Sequence, residues 1–405
     1  MSNNRDLYIK ATSSSSWTRP SDWLDIDSLV TVGQHKGAFL LAVFPDKPST
    51  WMLSLGQAFT VKVDGVATNY ISGAQATSTI DYASCNPATT TSEGFRQVII
   101  EIYPQVSPAN TGLSVTNPRT GFPTIYPLNY IDVRLSFPNI TSMFMNSGLR
   151  MMQLRRWTWL GTVPAISRGL AFNSPYLQEV NEDFSTCNNI GIYSFSRMPE
   201  IIGDITNNVV TTVNTLITGG YGNRIMGNLT FNNATTASAM INGNYTTEEI
   251  GNISLPAMLN AFSISTMIGL RKIGTINLPL ANQLTIANTS LETVGNITTG
   301  ANLTNITNVV NGSRLLKRLY ISNCTNVTTT TTALSVCNSL QELYLGGLTR
   351  GITVPPCQMD DAAFAAFFNS LGIAAGAQTI VITGNITLSA PTLAIATGKG
   401  FTITP

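Results

Sequence analysis

A single histidine, His35, is available for acid–base or metal chemistry, in the stretch Val32-Gly-Gln-His-Lys-Gly37. A Ser-His-Asp relay would have to run through it alone, and a metal site built on several histidines is excluded. A loop or surface histidine is the expected reading. The acid pairs Glu248-Glu249 and Asp360-Asp361 are the other candidates for catalysis. Glycoside hydrolysis needs two carboxyl groups about 5 to 9.5 Å apart across a sugar. Neighbours on a strand point to opposite sides, and Asp360-Asp361 suits the first turn of a helix, where negative charge is favoured. The chain is therefore expected not to be an enzyme, with polysaccharide depolymerase as the one catalytic alternative. Gly219-Gly220-Tyr221-Gly222 lacks the Gly-Lys-Ser/Thr of a phosphate-binding loop, and no cofactor is expected.

Basic and aromatic residues form the other candidate cluster. Arg150, Arg155 and Arg156 surround Trp157 and Trp159, and the segment near the start carries Trp17, Arg19 and Trp23. Such groups bind sugars or nucleic acid, contact another subunit, or pack within their own chain. For the arginine cluster the preferred reading is a junction between domains, with a subunit interface next; for Trp17 and Trp23 it is packing onto the chain itself. The candidate interface residues are Trp17, Arg19, Trp23, Arg155, Arg156, Trp157 and Trp159.

Composition narrows the classes. The 405 residues exceed one ordinary compact core, so more than one structural unit is expected. Hydrophobic residues make up 43% and charged residues 11%, which argues against disorder and against a densely charged soluble surface. With 22 basic and 21 acidic residues the net charge is +1, so nothing in the total attracts nucleic acid or anionic membrane. Met1 to Trp23 is polar, without the apolar run of an export signal, and no apolar stretch is long enough to span a membrane. Synthesis in a cytoplasm follows as the expectation. The cysteines Cys85, Cys187, Cys324, Cys337 and Cys357 lack a Cys-x-x-Cys pair and are expected to be free, mostly buried thiols.

The elements that must position these residues are mostly strands. Ala38 to Phe44, Ala58 to Val63 before the turn Asp64-Gly65, and Gln97 to Tyr103 read as β-runs of a small antiparallel sandwich. Ser107 to Pro127 reads as a linker or long loop, and Tyr130 to Leu135 as a strand with Ile131, Val133 and Leu135 alternating against Asp132 and Arg134. A repeat then emerges. Ile202-Gly-Asp-Ile205, Met226-Gly-Asn-Leu229, Ile250-Gly-Asn-Ile253, Ile273-Gly-Thr-Ile276 and Val294-Gly-Asn-Ile297 place glycines in steps of 24, 24, 23 and 21 residues.

Longer phrases join it: Leu270 to Ile273, Leu291 to Val294, Leu316-Lys-Arg-Leu-Tyr-Ile321 and Leu340-Gln-Glu-Leu-Tyr-Leu345, with degenerate copies at Leu177 to Val180 and Met198 to Ile201. This is the period and pattern of leucine-rich repeats, in which stacked coils share a core that one coil cannot bury alone. Intervening Asn302, Asn305, Asn308, Asn323 and Asn326 suit turns and hydrogen bonds to neighbouring coils. Met359 to Gly372 reads as a short amphipathic helix, with Asp360 near its N-cap and Gly372 as its stop. A strand, a second helix and a final strand follow, placed to cap the solenoid.

Arg19-Pro-Ser-Asp-Trp-Leu24, Ala42-Val-Phe-Pro-Asp46, the repeats, Ile382-Thr-Gly-Asn385 and Ala396-Thr-Gly-Lys-Gly-Phe401 together resemble a family of tailed-bacteriophage virion proteins with divergent BspA-like leucine-rich repeats. That family often carries a PKD-type β-domain with a Trp-Gly-Asp-Gly turn; here the matching stretch is Val61-Lys-Val-Asp-Gly65, without the Trp-Gly. The resemblance implies a virion component and transfers no catalytic residue. The expected fold is mainly β. It comprises an N-terminal docking segment (1–29), an antiparallel β-sandwich (30–135), a leucine-rich-repeat-like solenoid (136–358) and a C-terminal α/β cap (359–405). Expected partners are other virion proteins, copies of the chain itself, and a host surface glycan or protein, with no nucleic acid and no membrane insertion. Tail, baseplate or fibre is the first expectation of place, a capsid decoration subunit the second, and a bacterial surface adhesin a more distant one.

Overall fold

A computed structural model describes residues 6–10, 18–106, 111–115, 128–145, 153–162, 171–172, 179–183, 189–190, 194–195, 201–202, 204–207, 211–213, 217–218, 224–237, 241–242, 246–287 and 290–405. The fold is mainly β, 38% strand against 9% helix, and contains a β-solenoid of about eight turns. The chain divides into two compact units, residues 1–210 and 211–405.

In the first unit the first eleven strands are β1 (Asp6–Lys10), β2 (Lys36–Val43), β3 (Ser49–Leu55), β4 (Phe59–Val63), β5 (Val66–Tyr70), β6 (Ala76–Ile80), β7 (Arg96–Pro104), β8 (Thr111–Val115), β9 (Tyr130–Ser136), β10 (Ile140–Met145) and β11 (Arg156–Thr162), with short strands following between residues 171 and 207. The fully apolar run Ala38 to Val43 makes β2 a central strand, buried on both faces and antiparallel to β7 and β9. β7 also pairs with β4, which turns back into β5 through Asp64 and Gly65 at φ 45° and 84°. Both central residues of that turn take positive φ, as a two-residue hairpin matching strand twist requires.

On its other side β9 runs parallel to β11, and β11 parallel to the strand Glu179–Asp183, which pairs in parallel with β1. The sheet is therefore mixed. The sequence 107–127, expected to be loop, contains β8, which pairs with β10 and β3. Leu113 is its buried anchor, in a five-residue strand whose signal is swamped by flanking Pro, Gly and Asn.

In the second unit the repeat phrase is a corner. Ile250 lies in one parallel sheet and Ile253 in the next, with Gly251-Asn252 between them. Ile250 aligns with Ile273 and Val294 in sequence order, and Ile253 with Ile276 and Ile297. A Cβ on Gly274 would lie 2.5 Å from Asn252 Oδ1 and 2.8 Å from the carbonyl carbon of Gly251. The glycine is demanded by close backbone approach between coils. Asparagine completes the corner: Asn228 Oδ1 accepts from the Asn252 amide, and Asn252 Oδ1 from the Thr275 amide, both at 2.8 Å. Asn302 and Asn326 donate to the carbonyls of Leu280 and Ala301 on the preceding coil, while Asn305 and Asn323 accept from amides two residues ahead.

Leu270, Leu291, Leu316, Leu319, Ile321, Leu340, Leu343 and Leu345 all point inward, so the apolar phrases build the shared core. Leu177 and Met198 lie outside the described residues.

The chain ends in a parallel three-stranded sheet (Ile352–Thr353, Gln378–Val381, Phe401–Thr404) with α1 (Asp361–Ser370) and α2 (Ala390–Gly398). Asp360 caps α1, its Oδ1 accepting from the Ala363 amide at 2.8 Å. Gly372 does not stop the helix through a left-handed cap, since α1 ends at Ser370 with Leu371 extended. Its missing side chain instead lets the backbone approach the Gly347 carbonyl, which a Cβ would meet at 2.6 Å.

Candidate functional site

The clustering of Arg155, Arg156, Trp157 and Trp159 on β11 follows from its register with β9. Arg156 lies beside Asp132, Trp157 beside Val133 and Trp159 beside Leu135. Trp157 and Trp159 are buried, as is the side chain of Arg156 at 8% exposure. Arg156 Nε donates to Asp132 Oδ1 at 2.9 Å, and its Nη2 to Asp132 Oδ2 at 2.5 Å and Asp27 Oδ1 at 2.6 Å. Asp27 also receives Arg134 at 3.1 Å and Arg19 at 3.3 Å, and Arg19 pairs with Asp25. Three arginines and three aspartates thus balance their charge between the segment 19–27 and the strands β9 and β11.

Burial alone would lower the pKa of Arg156, but hydrogen bonds and charge from Asp132, with Asp27 behind it, more than offset this and hold the guanidinium charged. Burial pushes the Asp132 carboxyl up from the ordinary aspartate value, opposed by Arg156. Asp132 was expected on the polar, outward side of its strand, yet it is fully buried. Alternation marks which residues share a face, and here the segment around Asp27 and Arg156 of the neighbouring strand cover the second face too.

Trp23 sits in the core cluster with Ile26, Val30, Leu40, Phe95 and Ile131, its ring edge-on to Phe95 at 6.0 Å. Arg155 places its guanidinium 5.4 Å from the Trp23 ring centre and bonds both oxygens of Glu93, at 3.1 and 2.7 Å. Two unpredicted side chains complete the clasp. Gln97, almost fully buried on β7, accepts from the Leu24 amide and donates to the Asp22 carbonyl, while Asp22 accepts from the Ser92 amide at 2.6 Å. That bond and a side-chain bond from Ser92 hold the Asp22 carboxyl below its ordinary value.

Nothing in the sequence marks Gln97, because an amide on a strand reads as a solvated position. Of the seven candidate residues, Trp23, Arg156, Trp157 and Trp159 are interior, Arg19 and Arg155 keep part of their surface, and Trp17 lies outside the described residues, as does Arg150. The arrangement is a clasp that welds residues 19–30 to the sheet.

Of the other candidates, Glu249, Asp360 and Asp361 hold structural bonds. His35 is half-buried in the bend before β2, and burial lowers its pKa. Glu249 pairs with Lys272 at 3.4 Å on the next coil. Asp361 accepts from the Ser389 amide, the Ser389 hydroxyl and the Thr392 hydroxyl, each at 2.8 Å, and so ties α1 to the start of α2. Cys85, Cys324, Cys337 and Cys357 are free thiols. Burial pushes Cys324 and Cys337 up to about 12. Among the described residues no helix is long and apolar enough to cross a membrane. Comparison with protein-family models, with curated proteins and with solved structures finds no match for the chain.

Proposed function

We propose that the chain is a non-catalytic structural component of a bacteriophage particle, carried on the tail, baseplate or fibre. Its N-terminal part docks to neighbouring virion proteins, and the solenoid is presented outward to host or to further copies of itself. The observation that carries this reading is the way the solenoid is held together. Its corners rest on Gly251, Gly274 and Gly295 and on asparagine hydrogen bonds between coils, with exposed coil-to-coil ion pairs such as Glu249–Lys272 beside them. A stiff repeat surface of low charge suits dense packing among subunits and a broad binding face.

The resemblance of the sequence phrases to tailed-phage virion proteins supplies the setting. Under it, the coils are divergent BspA-like leucine-rich repeats and residues 30–135 a β-sandwich. Residues 359–405 are then a cap shielding the solenoid's last edge. The acid pairs support the non-catalytic reading, since Glu249, Asp360 and Asp361 each hold a structural bond. Quantitative mass spectrometry of washed, gradient-purified particles tests membership. The expected result is this chain in a fixed ratio to the major structural proteins. Its loss on washing, with recovery in the host cell envelope, would overturn the proposal.

A further inference from the structure

One row of the solenoid changes character at its last two strands. Directly before the inward residues Ile253, Ile276, Ile297, Ile321 and Leu345, the aligned outward positions are Asn252, Thr275, Asn296, Tyr320 and Tyr344. In the earlier coils Asn252 and Thr275 are spent on bonds to the neighbouring coil. The tyrosines replace that ladder with two rings stacked at 4.2 Å and 8°. Two residues earlier on the same strands, Arg318 and Glu342 face each other across the ladder, 3.2 Å apart, with side chains 54% and 70% exposed.

Between these rows runs a trough of about 260 Å³, lined by Arg318, Glu342, Tyr320 and Tyr344 over the strand positions of the inward-pointing Leu319 and Leu343, with Ala363 and Ala366 of α1 as its end wall. We propose that this trough binds a neutral sugar ring, a single hexopyranose unit of a surface glycan. The volume falls below the roughly 300–1,000 Å³ of drug-sized pockets, which fits one ring rather than an oligosaccharide.

The lining matches a pyranose in kind. Its apolar C–H face meets tyrosine and alanine carbon, and its hydroxyls meet a guanidinium donor, a carboxylate acceptor and two phenols. Arg318 and Glu342 cancel in charge, so neither an anion nor an ammonium group is drawn in preference to a neutral polyol. The alanines matter by their size, because any longer side chain at 366 would fill the trough. The acid pairs and aromatic clusters conspicuous in the sequence lie elsewhere, and this site emerges only when coils 24 residues apart are stacked.

The proposal goes beyond particle membership and is tested on the purified full-length chain, so either can fail without the other. The probes are methyl hexopyranosides of gluco, galacto and manno configuration, with glucuronate and glucosamine as charged comparators, read by saturation-transfer NMR. The expected result is transfer to the ring protons of at least one neutral pyranoside. Tyr344→Ala and Ala366→Leu each weaken it by about tenfold or more, the loss expected for a contact at the centre of a site. Ala366→Leu keeps both tyrosines and favours helix, so a native circular dichroism spectrum with lost binding separates the site from the fold. Absence of transfer to every neutral pyranoside, transfer to the charged sugars alone, or transfer unchanged in both variants would overturn the assignment.

Discussion

Arg156 grips both oxygens of Asp132 across two parallel strands, Nε to Oδ1 at 2.9 Å and Nη2 to Oδ2 at 2.5 Å, and reaches Asp27 with the same guanidinium. Buried charges persist only where they are paired, and removing one partner leaves the other stranded. Asp132→Ala is therefore expected to destabilise the first unit by about 3–5 kcal/mol, whereas Asp132→Leu with Arg156→Met costs far less. Urea unfolding followed by tryptophan fluorescence measures this cleanly, because all 5 tryptophans fall within residues 1–210. An unchanged midpoint in Asp132→Ala would mean that the pair contributes nothing to holding the segment 19–27 in place.

A corner glycine and a helix-end glycine predict opposite outcomes for one kind of substitution. Gly274→Ala drives a methyl to 2.5 Å from Asn252 Oδ1 and is expected to cost about 1–3 kcal/mol through overpacking. Gly398→Ala, at the end of α2 with nothing within 4 Å, is expected to be neutral or to stabilise by roughly 0.5–1 kcal/mol. Thermal melts of the two variants by circular dichroism should separate in sign.

These particulars show which features can be read from sequence. The glycine steps and the inward leucines reveal stacked coils, because a repeat must keep its core and its tightest approach in every copy. The same phrases do not reveal that Gly251 is a corner between sheets, since spacing carries period and not direction. Leu319 and Tyr320 differ in polarity and so declare their faces; that Tyr320 stacks on Tyr344 depends on register. Asp132 and Arg156 are 24 residues apart, and strand alternation gave Asp132 a wet face that the chain itself covers. Trp23 and Trp157 declared themselves by type, but whether a large aromatic meets its own chain or another is decided by tertiary packing.

Asp361 provides a pH-dependent test. Hydrogen bonds from the Ser389 amide, then the Ser389 and Thr392 hydroxyls, hold its carboxyl below the ordinary aspartate value of 3.8. A carboxylate depressed on folding stabilises the folded state above the unfolded pKa, and that contribution disappears as pH falls through the folded one. The difference in melting temperature between the wild type and Asp361→Asn should be full above pH 3.8 and shrink below it. A difference independent of pH would show that the ionised carboxylate is not what ties α1 to α2.

Thiol chemistry reports on the solenoid core. The thiolate is the reactive form, and Cys324 and Cys337 are buried with pKa values pushed up to about 12. Timed iodoacetamide labelling with peptide mass spectrometry should modify Cys357, which is half-buried, before either of them. Cys324 and Cys337 should label only on unfolding; labelling of the native chain at the rate of a free thiol would place them outside a packed core.

Particle membership and place are tested together by immunogold electron microscopy of intact particles, using antibody raised against residues 246–287 and 290–358 of the solenoid. The account predicts gold on the tail, baseplate or fibre. Label spread over the head would make the chain a capsid decoration subunit. Particles without gold, in a preparation whose producing cells label at their surface, would contradict the account and return the protein to bacterial adhesion.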